Sequence, residues 1–232
     1  MLRAVIFDFD GTIIDTETPW YQAWQEIYQQ YQMDLSIPLW SQAIGTHGGF
    51  DPIPHLESLV GIKLNRETIT ALHRRRAHEL IALQPLREGV WSLIRKARQA
   101  GLKLGIASSS HLASVMPHLE RFSLVGYFDT FCTADDVERV KPDPALYTLA
   151  LERLGVTPQE AVAIEDSLNG SVSALRAGLP CLVVPNAVTQ HFAFPAEAVQ
   201  LPSLETVEVT TLSAMCTQPS LAEVVEIRRA AE

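Results

Sequence analysis

Residues 3–15 have the sequence Arg-Ala-Val-Ile-Phe-Asp-Phe-Asp-Gly-Thr-Ile-Ile-Asp. Residues 4–7 form an unbroken apolar run, which is typical of a strand buried on both faces of a parallel sheet. The run leads directly into two carboxylates, Asp8 and Asp10. A carboxylate at this place costs stability unless a cation meets it, and a divalent metal is the obvious candidate. The segment therefore predicts a buried strand that delivers a catalytic or metal-binding pair of aspartates.

A β-hairpin is the alternative structure for the same residues. Asp10-Gly11 is a dipeptide favoured in the two-residue turns of hairpins, and apolar residues flank it on both sides. In a hairpin the aspartates would need no chemical role. The segment alone leaves both interpretations open and favours the catalytic one only slightly.

Three later segments also place polar residues after apolar runs or in stiff loops. Residues 104–107, Leu-Gly-Ile-Ala, precede the serines at 108–110. Lys141 begins the loop sequence Lys-Pro-Asp-Pro. Residues 161–164, Ala-Val-Ala-Ile, precede residues 165–167, Glu-Asp-Ser. These segments predict two further buried strands and a cation in a loop before a helix.

Each of these segments has a purely structural explanation of its own. Ser110 or Ser167 could cap a helix. Lys141 could be a solvated loop charge, and Glu165 and Asp166 could favour a helix N-terminus through its dipole. Together they favour a functional site, because the ligands of an open parallel sheet bind at the carboxyl ends of its strands.

In this order and at these spacings the four segments resemble the four motifs of the haloacid dehalogenase superfamily, in particular its phosphatases and the subgroup similar to β-phosphoglucomutase. The resemblance spans the chain from Val5 to about Pro185. Asp-x-Asp-Gly-Thr combined with a downstream Ser, Lys-Pro and Glu-Asp is a highly specific pattern. The resemblance implies an α/β fold, with a Rossmann-like parallel sheet core and a small inserted all-α cap domain.

The resemblance implies roles in phosphoryl transfer for the first two aspartates. Asp8 would attack phosphorus and form an aspartyl-phosphate. Asp10 would protonate the leaving oxygen and then activate the water that hydrolyses the intermediate. The cofactor would be Mg²⁺, which prefers oxygen ligands and is often held by one or two carboxylates together with waters and phosphate. Its ligands would be the Asp8 side chain, the Asp10 backbone carbonyl and Asp166. Glu165 would be a further ligand or a support of the ligands.

The resemblance also implies how phosphate is bound. Ser108 and the Ser109 backbone amide would bind it at a helix start, where free amides and the helix dipole favour an anion. Lys141 would supply a fixed positive charge that stabilises the nucleophile and the transferring group. His47 and His111 are weaker candidates for contact with substrate, and for His111 an exposed position on a loop is the favoured interpretation.

Two departures from the mutase pattern favour plain hydrolysis. β-Phosphoglucomutase has a histidine in the first cap helix where this chain has Trp20, and a cap-loop arginine that aligns near Gly48. Lys63 is the only lysine of the predicted cap, and nothing around it marks it as the Schiff-base lysine that phosphonate hydrolysis requires. We therefore expect Mg²⁺-dependent hydrolysis of a small phosphorylated metabolite, in particular a sugar phosphate. A phosphomutase is the first alternative, and a noncatalytic phosphometabolite-binding protein is another.

The helix and strand patterns divide the chain into two domains. The predicted core comprises residues 1–15 and 84–232, and the predicted cap comprises residues 16–83. The cap should contain four or five helical pieces and no strand. Its first helix should be capped by Thr18, and its last should run from about Asn65 to Leu83.

In the core, strands and helices alternate from residue 85 onward, which predicts right-handed βαβ units and a parallel sheet. The predicted helices are 87–100, 112–121, 144–155 and 168–177, and the predicted strands after the first are 103–107, 161–164 and 181–184. Signals are weaker beyond residue 195, where residues 206–211 favour an edge strand and residues 221–229 a terminal helix.

Composition and charge exclude several classes of partner. The chain has 232 residues and a formal net charge of -9, with no basic stripe that would bind nucleic acid or an anionic membrane. Its three cysteines are widely spaced and predict neither a disulfide framework nor a zinc site. The first strand leaves no room for a signal peptide, and no apolar stretch approaches the ~20 residues that cross a bilayer. We therefore expect a cytoplasmic enzyme whose partner is a small phosphorylated metabolite, with no protein partner implied.

Overall fold

The computed structural model describes residues 1–43 and 49–217. Within these ranges a single six-stranded parallel sheet has the order β3-β2-β1-β4-β5-β6. Its strands are β1 Ala4–Phe7, β2 Lys103–Ala107, β3 Thr130–Cys132, β4 Ala161–Glu165, β5 Cys181–Val183 and β6 Val199–Gln200. Because β1 pairs in parallel with both β2 and β4, the predicted Rossmann-like sheet is confirmed and the hairpin alternative is wrong.

The central strand is buried on both faces, as its unbroken apolar run predicts. Val5 and Phe7 pack into one apolar cluster, and Ala4 and Ile6 pack into another. Successive side chains of a strand point to opposite faces of the sheet, so these two clusters lie on its two sides. Around the sheet the core helices are α5 Val90–Gln99, α6 Leu112–Arg121, α7 Ala145–Leu154, α8 Leu168–Arg176 and α9 Val209–Met215.

A helical unit is inserted between β1 and α5. Its helices are α1 Glu17–Gln30, α2 Ile37–Trp40, α3 Pro52–Val60 and α4 Arg66–Leu83. Aromatic side chains of α1, among them Trp24 and Tyr28, are buried in the core of this unit. No strand occurs between residues 16 and 83 in the part that the structure describes, which confirms the small all-α insertion.

The division of the chain into compact units differs from the predicted division at residues 186–192 and by one or two residues at the other boundaries. One unit comprises Met1–Ile14, Leu86–Pro185 and the chain from Ala193, and the other comprises Asp15–Pro85 and Asn186–Phe192. The predicted core includes residues 186–192. Val188, however, is fully buried in the apolar cluster of the helical unit, which explains why the segment belongs there.

Two predicted helix starts differ from the observed ones. Thr18 does not cap α1, since its backbone amide and hydroxyl donate to the Asp15 carboxylate at 2.9 and 2.6 Å and the helix already begins at Glu17. The helix predicted from residue 87 begins at Val90. Gly89, with φ +81°, precedes it.

The two edge strands of the sheet were not predicted correctly. β3, at Thr130–Cys132, was missed, and the edge strand expected at 206–211 is absent, because α9 begins at Val209 and the edge is formed by Val199–Gln200. The predicted helix at 221–229 lies outside the described residues. Within the described chain, none of the helices combines the length and the apolar character needed to cross a bilayer.

Candidate active site

The loop after β1 brings Asp8 and Asp166 together. Asp8 continues the sheet, since its amide donates to the carbonyl of Ile164 at 2.9 Å. Gly11 then turns the chain with φ +82°, a conformation that favours glycine. A Cβ at Gly11 would lie only 2.1 Å from Asp166 Oδ2. The loop can therefore approach the Asp166 carboxylate only with glycine at this position.

Lys141 forms ion pairs with carboxylates at the carboxyl ends of β1 and β4. Its Nζ lies 2.6 Å from Asp8 Oδ1 and 2.6 Å from Glu165 Oε1, and its side chain is 5% exposed. Burial alone would lower the pKa of Lys141, but the carboxylates of Asp8 and Glu165 raise it above its usual range. The lysine is thus a permanently charged group in a dry part of the site.

Glu165 is surrounded by hydrogen-bond donors. Its Oε1 accepts from Lys141 and, at 2.6 Å, from the hydroxyl of Tyr147, which is fully buried on α7. Burial and the neighbouring carboxylates raise the pKa of Tyr147, so this hydroxyl remains a donor. Oε2 accepts from the Ser167 hydroxyl at 3.2 Å. A Cβ on Gly170 of α8 would lie 2.0 Å from the carboxylate, so the helix closes directly over it.

Asp10 is held by two serines that follow β2. The hydroxyls of Ser108 and Ser110 donate to Asp10 Oδ2 at 3.1 and 2.7 Å, and the Ser110 amide donates to Ser108 Oγ at 2.9 Å. Ser108 is fully buried, whereas Ser109 is exposed. The phosphate-binding role of Ser108 and Ser109 stays a prediction. The contact of Ser110 with Asp10 was not predicted from the sequence.

Carboxylate oxygens of Asp8, Glu165 and Asp166 lie within 4.8 Å of one another. Among the described residues, no donor reaches Asp8 Oδ2, although it is buried. Burial raises the pKa of Asp8 to about 8 against the lowering effect of Lys141, since Glu165 and Asp10 add negative charge. A set of hard oxygen ligands with excess negative charge fits a divalent cation such as Mg²⁺, which would lower the pKa of Asp8.

The remaining candidate residues do not join this cluster. His111 is a surface residue at the start of α6, 71% exposed in its side chain, with Nδ1 2.6 Å from Asp135 Oδ1. Lys63 Nζ pairs with Glu57 at 2.7 Å and is almost fully exposed, which is unlike the buried environment of a Schiff-base lysine. His47 and Gly48 lie outside the described residues.

Three residues of the site were missed in the sequence. Ser110 adjoins a predicted motif, and its spacing from Ser108 could have drawn attention to it. Tyr147 lies in a run that is typical of a buried helix face. Arg87 donates through its guanidinium to the carbonyls of Gly11, Val184 and Pro185 and so ties the loop after β1 to the end of β5, but its position was assigned to a helix.

Residues 5–184 match the haloacid dehalogenase-like hydrolase family. The chain belongs to this family and is therefore an enzyme of the hydrolase class, as predicted. It is 44% identical over 212 residues to the Bacillus subtilis (strain 168) protein named "Putative phosphatase YhcW", covering 91% of this chain and 96% of that one.

Two further similar proteins are connected with phosphorylated carbohydrates, one by its name and one by the ligand in its crystal structure. "Phosphorylated carbohydrates phosphatase" of Thermotoga maritima is 31% identical over 179 residues, with coverage of 77% of this chain and 82% of the relative. The crystal structure of a CbbY variant from Rhodobacter sphaeroides in complex with xylulose-(1,5)bisphosphate is similar with a TM-score of 0.70. It is 30% identical, covering 91% of this chain and 99% of that one. The prediction of a phosphatase is confirmed at the level of the family and its named relatives.

Proposed function

We propose that this protein hydrolyses the phosphate monoester of a small sugar, with Mg²⁺ as cofactor and an aspartyl-phosphate on Asp8 as intermediate. The proposal rests on one observation: the two carboxylate oxygens of Asp8 differ in their hydrogen-bond partners. Oδ1 is held by Lys141 at 2.6 Å, whereas Oδ2 is reached by no donor among the described residues. Oδ2 is therefore the oxygen available to attack phosphorus.

Asp10 is proposed as the proton carrier. Two serine hydroxyls fix one of its oxygens, and Asp10 is partly exposed, so a leaving group and a water can reach the carboxylate. In the first step it would give a proton to the leaving oxygen. In the second it would take a proton from the water that attacks the aspartyl-phosphate.

The proposed cation ligands are Asp8, the Asp10 backbone carbonyl and Asp166, with Glu165 as a further ligand or a support. When bound, Mg²⁺ neutralises the phosphoryl oxygens and keeps the carboxylates ionised. Lys141 adds a fixed charge beside the transferring group. Ser108 and the Ser109 amide are proposed to bind the phosphate.

Sugar phosphates are favoured because relatives over most of the chain are named for phosphorylated carbohydrates or bind a sugar bisphosphate. We assign the catalytic core to residues 1–15 and 84–232 without segment 186–192, and the cap to residues 16–83 together with that segment. A cytoplasmic location is supported by the three buried cysteines, Cys132, Cys181 and Cys216, all of which are free thiols. A phosphomutase remains the alternative activity, although Trp20 departs from the mutase pattern.

A panel of sugar phosphates tests the proposal by release of inorganic phosphate. We expect turnover with Mg²⁺, loss of turnover in EDTA, and loss of turnover in Asp8→Asn. A brief pulse of ³²P-labelled substrate should label the wild-type protein but not Asp8→Asn. Efficient isomerisation of a sugar phosphate in the presence of its bisphosphate, with little phosphate release, would establish the mutase instead. Full activity of Asp8→Asn would overturn the proposed nucleophile.

A further inference from the structure

Tyr147 contacts both Glu165 and Lys141, the residues that form an ion pair beside Asp8. Its side chain is fully buried on α7. The hydroxyl donates to Glu165 Oε1 at 2.6 Å, and Lys141 Nζ donates to the same oxygen at 2.6 Å. The Lys141 Nζ also lies 5.0 Å from the centroid of the Tyr147 ring, within the range of a cation–π interaction.

A hydroxyl is not needed at this position for packing. The neighbouring buried residues of α7, Leu146, Ala150 and Leu151, belong to the same apolar cluster as the Tyr147 ring, and a phenylalanine ring would fill that space equally well. A buried hydroxyl must find a partner, and here the partner is the Glu165 carboxylate, whose same oxygen also accepts from Lys141. The hydroxyl thus has a specific target inside the site.

We propose that Tyr147 is a positioning residue whose hydroxyl fixes the Glu165 carboxylate, so that Glu165 holds the Lys141 ammonium on Asp8 Oδ1. This inference rests on the proposed function, since it explains how Asp8 Oδ2 is kept as the attacking oxygen. Tyr147 acts on Asp8 only through Glu165 and Lys141.

The proposal predicts a particular kinetic defect. Without the hydroxyl, Lys141 keeps its charge and still attracts phosphate, so ground-state binding changes little. The orientation of Asp8 matters only when it attacks, and a displacement of about 1 Å in a reacting group can cost about 100-fold in rate. The defect should therefore fall on kcat rather than on KM.

Tyr147→Phe tests this, with Tyr28→Phe as the matched control. Tyr28 is also fully buried, and its hydroxyl donates to the Pro52 carbonyl at 2.8 Å within the helical unit. For Tyr147→Phe we expect kcat to fall about 10- to 100-fold with KM changed less than about threefold. For Tyr28→Phe we expect reduced thermal stability with kcat within about twofold of wild type. Similar stability losses with unchanged kcat in both variants would overturn the proposal.

A double-mutant cycle tests the path through Glu165. If Tyr147 acts through this carboxylate, Tyr147→Phe/Glu165→Gln should be no slower than Glu165→Gln alone. If the two losses multiply, Tyr147 does not act through Glu165 and the proposal is wrong.

A measurement without substrate separates this inference from the proposed function. The ¹⁵N-bound protons of a buried lysine ammonium exchange slowly enough to give an NMR signal, which Lys141→Met would assign. We expect that signal to shift or broaden in Tyr147→Phe and to stay unchanged in Tyr28→Phe. An unchanged signal in Tyr147→Phe would overturn the inference even in an active enzyme, whereas absence of phosphate release from wild type would refute only the proposed function.

Discussion

Lys141 should stabilise the metal-free protein through its charge, so replacing it and replacing its partner should have opposite consequences. Lys141→Met keeps the length of the side chain but leaves Asp8 and Glu165 buried without their cation. Asp8→Asn leaves Lys141 paired with Glu165, and the site loses a negative charge. We therefore expect a large loss of stability in the first variant and little loss, or a gain, in the second.

The burial of the Lys141 ion pairs determines how much stability Lys141→Met should lose. The Lys141 side chain is 5% exposed, and those of Asp8 and Glu165 are 7% and 0% exposed, with both N–O distances at 2.6 Å. Removing one partner of a buried ion pair costs about 3–5 kcal/mol, or about 6–20 °C in Tm for a chain of this size. Lys96→Met is the control, because Lys96 Nζ lies 2.7 Å from Glu208 Oε1 with side chains 33% and 58% exposed. An exposed pair of this kind contributes about 0–1 kcal/mol.

The pKa of Asp8 adds a dependence on pH with a definite sign. It is raised to about 8 in the folded protein from 3.8, so between these values the folded state holds a proton that the unfolded chain has released. The stability of the metal-free protein should therefore rise as the pH falls through this window. Asp8→Asn should flatten the slope, since the titrating group is gone.

Urea unfolding in EDTA, repeated across this pH window, measures both effects. The expected order of stability at the alkaline end is Asp8→Asn at or above wild type, Lys96→Met close to wild type, and Lys141→Met far below it. The reasoning is refuted if Lys141→Met loses no more than Lys96→Met, or if Asp8→Asn loses as much as Lys141→Met.

Three further predictions concern the proton carrier, the cation and the helical unit. Asp10→Asn should slow hydrolysis of a sugar phosphate far more than that of p-nitrophenyl phosphate, whose leaving group needs no proton; equal losses would contradict the proposed role. Asp166→Ala should require more Mg²⁺ for half-maximal activity, and calorimetry without substrate should show weaker Mg²⁺ binding. Burial lowers the pKa of His73, whose ring stacks on Trp24. The helical unit should therefore lose stability as the pH falls below about 6.5, visible in tryptophan fluorescence and reduced in His73→Gln.

Strands and helices with strong local signals could be predicted from the sequence. β2 was predicted at its observed bounds because an apolar run sits between Gly101 and the serines. α4 was predicted to within one residue, since the Asn65 side chain accepts from the Thr68 amide and caps it. β3 and β6, the edge strands, have three and two residues and no unbroken apolar run like that of β5, so no local pattern marks them in the sequence.

The proximity of Asp8, Lys141 and Glu165 could be expected from the sheet topology, since parallel strands place their carboxyl ends at one edge of the sheet. The contact of Tyr147 with Glu165 could not be predicted, because the sequence pattern around Tyr147 is that of a buried apolar helix face. Its hydroxyl reaches Glu165 only through the packing of α7 against the sheet. Arg87 was missed for a similar reason, since its acceptors are backbone carbonyls that no side-chain pattern reveals.

Glu165 and Asp166 show how far adjacent acids can differ once the chain is folded. Side chains that follow each other at a strand end point in opposite directions, and here each carboxylate faces a glycine from a different element. Glu165 lies under Gly170 of α8, whereas Asp166 lies against Gly11 of the loop after β1. The first location places Glu165 among the donors Tyr147 and Lys141, which favours a role in holding the lysine. The second places Asp166 beside the loop that carries Asp8 and Asp10, which favours it as the cation ligand. Loss of either acid should therefore affect a different step, and the separate tests on Glu165→Gln and Asp166→Ala can tell the two roles apart.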